Sequence, residues 1–228
     1  MALSEIWSIT YNDVTKTAAD WGVSEINRNR SNQGQDVVTM ILDGQNVDDE
    51  PPFPDGSIIT ILRDGVPWFY GPRVDSAGVG SAGEESGDMV FNGPWWWLEN
   101  IIYQQDWFSY TAGANELVKN SHLTLNIATD ELGNVSKLTT KGQIEAIIAW
   151  ALECIADPDG DTPGLVPFQL DTTDIPAANV PVTEVRDIMC SQAIQQQLRW
   201  TPNAVLWFDY STTPPTLKIK PRASLVDT

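Results

Sequence analysis

Residues 57–70 (SIITILRDGVPWFY) carry the strongest local folding signal in the chain. Two apolar runs in this segment flank the dipeptide Asp64-Gly65. A type I′ turn needs positive φ at both central residues, and Asp-Gly is one of the pairs that adopt it readily. The segment therefore predicts a two-residue β-hairpin. Pro67 is expected at an edge or at a non-bonded position, because it has no backbone N–H.

Several other N-terminal segments are typical of short strands. Residues 5–11 place Trp7, Ile9 and Tyr11 on one face, and residues 36–42 (DVVTMIL) are apolar and rich in β-branched side chains. Residues 88–91 form a further short strand, and residues 94–102 form a helical turn or short helix. This succession suits a small barrel or sandwich. We predict an N-terminal β-barrel domain over residues 1–106.

The C-terminal part mixes helices with strands. Residues 123–128 alternate as a strand that pairs with residues 132–138, and Thr139 or Thr140 caps a helix over residues 140–156. A second helix is predicted from about residue 182 to residue 199, because its apolar residues recur at helical spacing. Residues 204–220 read as a strand, a turn and a returning strand. We therefore predict an α+β domain over residues 107–228. The whole chain is predicted to be α+β and mainly β, a small β-barrel followed by a mixed β-barrel and helix domain.

The charge of the chain excludes several classes of function. There are 31 acidic and 13 basic residues in 228, which gives a formal net charge of −18. Stable binding to free nucleic acid needs positive phosphate contacts, so it is not expected. No apolar window is long enough to cross a membrane, and the first residues do not resemble a secretory signal. Ten of the acids fall within residues 43–93, against Arg63 and Arg73.

Catalytic and metal-binding patterns are weak. Asp157, Asp159 and Asp161 place three carboxylates at alternate positions, which makes them a weak calcium candidate, but the loop lacks the later bidentate Glu of an EF-hand. A nucleophilic site would have to use His122, the sole histidine, and neither Cys154 nor Cys190 lies in a reactive context. The chain is therefore predicted to be a non-enzyme without a cofactor.

The aromatic residues are the remaining candidates for a functional surface. The chain has 10 Trp. We predict that two aromatic runs act as interface or packing anchors: Trp68, Phe69, Tyr70, Trp95, Trp96 and Trp97. Exposed tryptophans that stack on sugar rings are the alternative, and would make the chain a carbohydrate-binding β module.

Two patches of the sequence resemble a known family. Residues 61–74 (ILRDGVPWFYGPRV) are similar to the hairpin segment of phage tail and baseplate hub proteins of the late control protein D group. That group also includes the hub part of type VI secretion spike proteins. Residues 185–199, followed by residues 205–210 (VLWFDY), resemble the helix and aromatic strand of the same family. The order of the elements between these patches is similar as well.

The resemblance implies a structural role in the tail of a phage or prophage-derived particle. Members form homotrimeric rings that join the tail tube to a spike or tip, with tape-measure proteins as further neighbours. DNA passes through the central channel, and an acidic lumen would keep it from adhering. The resemblance thus implies a virion tail protein made in the bacterial host cytoplasm, and no catalytic residues carry over from the family. In this setting the carbohydrate-binding alternative would be a β module of a tail tip that uses exposed tryptophans.

Overall fold

The computed structural model describes residues 5–31, 34–42, 51–74, 88–111, 114–130, 132, 134–156 and 165–225. The chain divides into two compact units. Unit 1 comprises residues 1–96 together with residues 208–216, and unit 2 comprises residues 97–207 together with residues 217–228. The predicted domain boundary after residue 106 stays a prediction, because a compact unit need not be an independently folding domain.

Seven strands, β1 to β7, form most of unit 1. The bounds are β1 Trp7–Tyr11, β2 Val14–Thr17, β3 Val23–Arg30, β4 Asp36–Leu42, β5 Ile58–Arg63, β6 Val66–Pro72 and β7 Met89–Asn92, with a 3-10 turn at Ala19–Trp21. One sheet has the order β2-β1-β5-β6 and the other the order β3-β4-β7. An isolated bridge between Arg73 and Phe91 joins the two sheets beside β6 and β7. Across this bridge the strands follow the combined order β2-β1-β5-β6-β7-β4-β3.

The Asp64-Gly65 hairpin forms as predicted. Asp64 has φ 52° and Gly65 has φ 79°, the positive values that a type I′ turn requires. Strands β5 and β6 pair in register from Ile58 and Pro72 to Arg63 and Val66, with one irregularity beside Leu62. The hairpin therefore brings Phe69 into the core of unit 1.

Alternation along the strands builds the core of unit 1. In β4 every second side chain is buried and those between are half-buried. The core cluster consists of Ile9, Val23, Val38, Met40, Leu42, Phe53, Ile59, Ile61, Phe69, Met89 and Phe91. These side chains come from both sheets, so burial of their apolar surface holds the sheets together.

The elements of unit 2 are shorter. Helix α1 (Trp95–Asn100) connects the units along the chain, and the strands that follow are β8 Gln105–Thr111, β9 Ala114–Asn120, β10 His122–Leu125, β11 Ile127–Thr129, β12 Val135–Lys137, β13 Gln169–Asp171, β14 Thr183–Arg186, β15 Ala204–Asp209 and β16 Thr216–Pro221. The helices are α2 (Thr140–Ala156) and α3 (Cys190–Arg199), with a 3-10 turn at Arg222–Leu225. The sheets are β8-β9, β10-β14, β11-β12 and β13-β16-β15. The fold is thus α+β and mainly β, as the sequence predicts.

Helix α2 confirms its predicted bounds and its apolar face. Ile144, Ile147, Ile148 and Ala151 are buried at helical spacing. The Thr139 hydroxyl accepts the Gly142 N–H at 3.3 Å, as expected of an N-cap side chain. The C-terminal hairpin also lies where it was predicted, with β15 and β16 flanking the turn.

The prediction of a helix from residue 182 is wrong at its N-terminal end. Residues 183–186 form β14 and pair with β10, from His122 and Arg186 to Leu125 and Thr183. Asp187 then takes a left-handed φ of 49°, and α3 begins only at Cys190. Gln192 accepts the backbone N–H of Met189 at 3.3 Å, which fixes the helix start. Strand pairing to a distant segment has overridden the local helical pattern.

The prediction for residues 123–128 also needs correction. The strand ends at Leu125, because Asn126 has φ 68°. Residues 127–129 then form β11, which pairs with β12 over residues 135–137. Among the described residues, no helix is both long and apolar enough to cross a bilayer.

Candidate functional site

The aromatic run on β6 lies within unit 1. Phe69 is fully buried and Tyr70 is 9% exposed, while Trp68 is half-buried. The Trp68 ring meets the Trp7 ring edge-on at a centroid distance of 4.8 Å. Phe69 stacks on Tyr210 at 6.3 Å. The run therefore packs against side chains from two other parts of unit 1, β1 and the segment that contains Tyr210.

The tryptophan run at the start of α1 is also largely buried. Trp95 is 1% exposed and Trp97 is 8% exposed, while Trp96 is half-buried. A tryptophan that binds sugar by stacking must present one face of its ring to solvent. The burial of Trp95 and Trp97 therefore counts against them as a sugar-binding platform.

A buried charged network surrounds the β6 aromatic run. Arg28 Nε donates to Asp36 Oδ1 at 2.7 Å, and Arg28 Nη2 donates to Asp36 Oδ2 at 2.5 Å. The remaining arm, Nη1, donates to the Trp68 carbonyl oxygen at 2.5 Å. The Tyr210 hydroxyl completes the set by donating to Asp36 Oδ2 at 2.8 Å. We call these residues the Arg28–Asp36–Tyr210 network.

Aromatic rings enclose the guanidinium of this network. The Arg28 guanidinium carbon lies 4.5 Å from the centroid of the Trp68 ring and 5.2 Å from that of Tyr210. The side chains of Arg28 and Asp36 are 11% and 6% exposed. A charge pair buried this far is costly unless its hydrogen bonds are satisfied, and each arm of the guanidinium here has an acceptor.

The electrostatics of the network favour its present protonation state. Burial alone lowers the pKa of Arg28, but the hydrogen bonds and negative charge of Asp36 outweigh burial and raise that pKa overall. Burial raises the pKa of Tyr210 far above its ordinary value, and the nearby Asp36 carboxylate raises it further. The arginine therefore stays charged, and the tyrosine stays a neutral hydrogen-bond donor.

Sequence analysis missed this network. The sequence contains one signal for it, because Asp36 is an acid at the start of an otherwise apolar strand. A charge buried in such a strand is costly unless an opposite charge or a hydrogen-bond donor lies beside it. Its partners are 8 and 174 residues away along the chain. No local spacing could identify them.

The described part of the structure does not support the calcium candidate or the nucleophile candidates that the sequence offers. Asp157, Asp159 and Asp161 lie outside the described residues, and the described part of the chain holds no cluster of three potential ligands. His122 is exposed at the start of β10. Burial raises the pKa of Cys190 to about 12, so its thiol is protonated at neutral pH and is a poor nucleophile.

Unit 1 also exposes a small apolar tip. Ile6 is 61% exposed and Val66 is 62% exposed. Both lie beside Asp64, which accepts the Ile6 N–H through Oδ1 at 2.9 Å and donates its own N–H to the Ile6 carbonyl at 2.8 Å. We call this pair the Ile6/Val66 tip. Its position on a rigid hairpin end suits a contact with another protein surface.

Together, the fold and the site define a mainly β protein of the α+β class whose aromatic runs are largely buried. Comparison with solved structures extends this description. The chain is similar to the 43 kDa tail protein of prophage MuSo2 from Shewanella oneidensis, with 15% identity and a TM-score of 0.50, over 95% of this chain and 54% of that one. It is also similar to a tail protein from Neisseria meningitidis MC58, with 11% identity and a TM-score of 0.48, over 95% of this chain and 50% of that one.

These similarities concern the fold. At 15% identity, the likeness to the MuSo2 protein shows a shared fold, and this chain spans about half the length of both matched structures. No protein-family model matches the chain, and no curated protein sequence matches it either.

Proposed function

We propose that this protein is a structural, non-enzymatic component of a phage or prophage tail, and that it acts in the baseplate hub. The observation that carries this proposal is the fold shared with the 43 kDa tail protein of prophage MuSo2. The sequence resemblance of residues 61–74 to the hub family supports the finer assignment. The protein would be located in the virion tail after synthesis in the host cytoplasm.

In this role the chain forms a homotrimeric ring that joins the tail tube to the spike or tip. Rings need outward-facing contacts on rigid elements, and the Ile6/Val66 tip supplies an apolar contact at the end of a hairpin. The two predicted domains, residues 1–106 and 107–228, would give each subunit two positions around the ring. Tail tube, tape-measure and spike or tip proteins are the proposed neighbours.

The negative charge supports passage of DNA without stable binding. A formal charge of −18 on each subunit repels the phosphate backbone, so a channel lined by such subunits would not retain DNA. This part of the proposal predicts no measurable affinity for duplex DNA at physiological salt.

The test is light scattering coupled to size exclusion across a concentration series. The hub proposal predicts a mass about three times the 25.2 kDa of the chain, and negative-stain images that show a ring with a pore. Val66→Asp places a charge on the Ile6/Val66 tip and should shift the mass toward the monomer. Val135→Asp is the matched control, because Val135 is 60% exposed on β12 of unit 2 and should leave the mass unchanged.

Neither variant should unfold, because substitutions of exposed residues change stability by about 0.5 kcal/mol or less. A clean monomer at all concentrations would contradict the ring. A trimer that persists in Val66→Asp would show that the Ile6/Val66 tip is not the contact, and loss of the trimer in both variants would show that the effect is not specific to the tip.

A further inference from the structure

The two cysteines of the chain lie on helices that pack against each other in unit 2. The chain contains two cysteines, Cys154 and Cys190, and both thiols are free. Cys154 lies in the last turn of α2, and Cys190 is the first residue of α3. Helices α2 and α3 are in contact. The thiols can therefore meet only if the C-terminal end of α2 lies beside the N-terminal end of α3.

One residue bridges the start of α2 to the end of α3. The Asn126 backbone N–H donates to Gln143 Oε1 at 2.6 Å, and the Asn126 side-chain Nδ2 donates to Gln197 Oε1 at 2.8 Å. Gln143 lies in the first turn of α2, and Gln197 lies in the last turn of α3. The two helices therefore run in opposite directions, which places the end of α2 near the start of α3.

A second set of hydrogen bonds joins the other two helix ends. The Trp150 indole N–H donates to the Ile102 carbonyl at 2.9 Å, and the Cys190 N–H donates to the Ile101 carbonyl at 2.9 Å. Two adjacent carbonyls thus hold the C-terminal part of α2 and the first residue of α3. Cys154 follows Trp150 by four residues, so it lies one turn further along the same side of α2.

Both cysteines lie on the faces that their helices bury. Cys190 is fully buried and shares its face of α3 with the buried Ala193. On α2, Cys154 follows the buried Ala151 by three residues and so continues the buried face. Alanine and cysteine are small side chains, and they allow the close approach of two backbones that a disulfide requires.

The two thiols also influence each other electrostatically. Burial raises the pKa of Cys190 to about 12, and the neighbouring Cys154 contributes to that rise. The pKa of Cys154 is raised as well, chiefly by its own burial. Neither thiol is therefore strongly nucleophilic at neutral pH. Proximity can compensate for a small ionised fraction, because it replaces a collision between molecules by a step within one molecule.

We propose that Cys154 and Cys190 form a disulfide when the protein meets an oxidant of the low-molecular-weight disulfide class. Cys154 is half-buried and reacts first. Its thiolate attacks glutathione disulfide, forms a mixed disulfide and releases one glutathione. The Cys190 thiol then loses its proton and attacks the Cys154 sulfur, which releases the second glutathione. The protein thiols lose two electrons, and one glutathione disulfide becomes two glutathione molecules that carry the two protons.

The bond would join α2 to α3 covalently and close a loop of about 36 residues. A cross-link of this kind stabilises a fold mainly by restricting the unfolded chain. In a virion, the bond would stay open in the reducing host cytoplasm and close after release. That timing rests on the proposed function, whereas the bond itself does not.

The test is incubation of the reduced full chain with glutathione disulfide, at low protein concentration and at a mildly alkaline pH that ionises more of each thiol. The intact mass should fall by the mass of two hydrogen atoms, and a protease digest should contain one peptide pair joined through Cys154 and Cys190. The folded chain should favour the internal bond on the order of 100-fold more than the chain in urea does. The midpoint of thermal unfolding should rise by about 5–10 °C.

Moving one cysteine by a single residue gives a matched control. The Glu153 side chain is 64% exposed, so it points away from the buried face of α2. The double variant Glu153→Cys with Cys154→Ala keeps two cysteines but turns one of them away from α3. It should acquire a mixed glutathione disulfide and no internal bond. Cys190→Ala should likewise stop at the mixed disulfide on Cys154, and circular dichroism checks that each variant is folded.

Several results would overturn the proposal. The folded chain could stop at a mixed disulfide on Cys154, or the internal bond could form only in urea. An internal bond formed to the same extent in the Glu153→Cys control would show that helix packing does not select the pair. A disulfide between two chains would show that the thiols meet across copies. None of these results bears on the mass measurement that tests the hub, which is made on the reduced protein.

Discussion

Replacing Tyr210 by phenylalanine tests how the Arg28–Asp36–Tyr210 network stabilises unit 1. The change removes one hydroxyl, which donates to the buried Asp36 carboxylate at 2.8 Å, and leaves the ring that stacks on Phe69. A hydrogen bond to a charged group contributes about 1.5–3 kcal/mol. Asp36 keeps both hydrogen bonds from Arg28, so we expect a loss near the lower end, about 1.5 kcal/mol in the free energy of unfolding.

Replacing Asp36 by alanine should cost considerably more. The substitution leaves the Arg28 guanidinium buried without its counter-ion, and Arg28 has only 11% of its side chain exposed. Removing one partner of a buried ion pair costs about 3–5 kcal/mol. Arg28→Met combined with Asp36→Leu removes both charges, and should cost less than the sum of the two single substitutions because neither charge is then left alone.

The measurement is urea denaturation followed by tryptophan fluorescence and by circular dichroism. Arg63→Met is the control, because Arg63 pairs with Glu5 on the surface and each side chain is 46% exposed. Such exposed pairs contribute about 0–1 kcal/mol. The reasoning is refuted if Asp36→Ala costs no more than Tyr210→Phe, or if the Arg28 and Asp36 substitutions prove additive.

Three further predictions concern other parts of the fold. Gly71→Ala should lower the free energy of unfolding, measured by urea denaturation, by about 1–3 kcal/mol or more. A Cβ at Gly71 would overlap the Asn92 carbonyl on β7 and force the joined sheets apart. An unchanged free energy of unfolding would mean that β6 and β7 separate easily. Gln197→Met should cost about 1–3 kcal/mol, because the Asn126 side chain is buried and exchanges hydrogen bonds with Gln197 at 2.8 and 3.3 Å; unchanged stability would mean that water reaches this pair. The free energy of unfolding should fall as the pH rises above about 10, because the unfolded chain then releases the Tyr210 proton that the folded state retains. Urea denaturation at a series of rising pH values should show a smaller fall for Tyr210→Phe than for the unchanged protein.

Local chemistry was sufficient to predict some elements. Asp64 and Gly65 specify their turn because few residue pairs adopt positive φ at both positions, and the apolar spacing of α2 needs nothing beyond the helix itself. The start of α3 was not predictable in the same way. Residues 183–186 have a helical pattern, yet their backbone groups pair with β10, which lies far away along the chain. Tertiary pairing decided the structure there.

The candidate sites likewise combine features that the local sequence indicates with features that depend on distant segments of the chain. The aromatic runs are visible in the sequence, and their role as anchors stays a prediction, but their burial depends on which side chains cover them. Tyr210 is one covering residue, and it reaches Asp36 from 174 residues away. Nothing in the sequence distinguishes Gln105. Its Nε2 donates to the Ile127 carbonyl, and among the described residues its Oε1 has no hydrogen-bond donor. Both features depend on contacts between segments that local patterns do not relate.

The network also explains why unit 1 is discontinuous in sequence. Residues 208–216 belong to it, although the strands that carry them, β15 and β16, lie mostly in unit 2. Tyr210 supplies the second donor to Asp36 and the ring that stacks on Phe69, so residues 1–96 alone lack part of the cover for their buried charges. Residues 208–216 therefore belong to the packing of unit 1, although they lie far from its other residues along the chain. A cut at the predicted boundary after residue 106 would separate Asp36 from a partner that its burial requires.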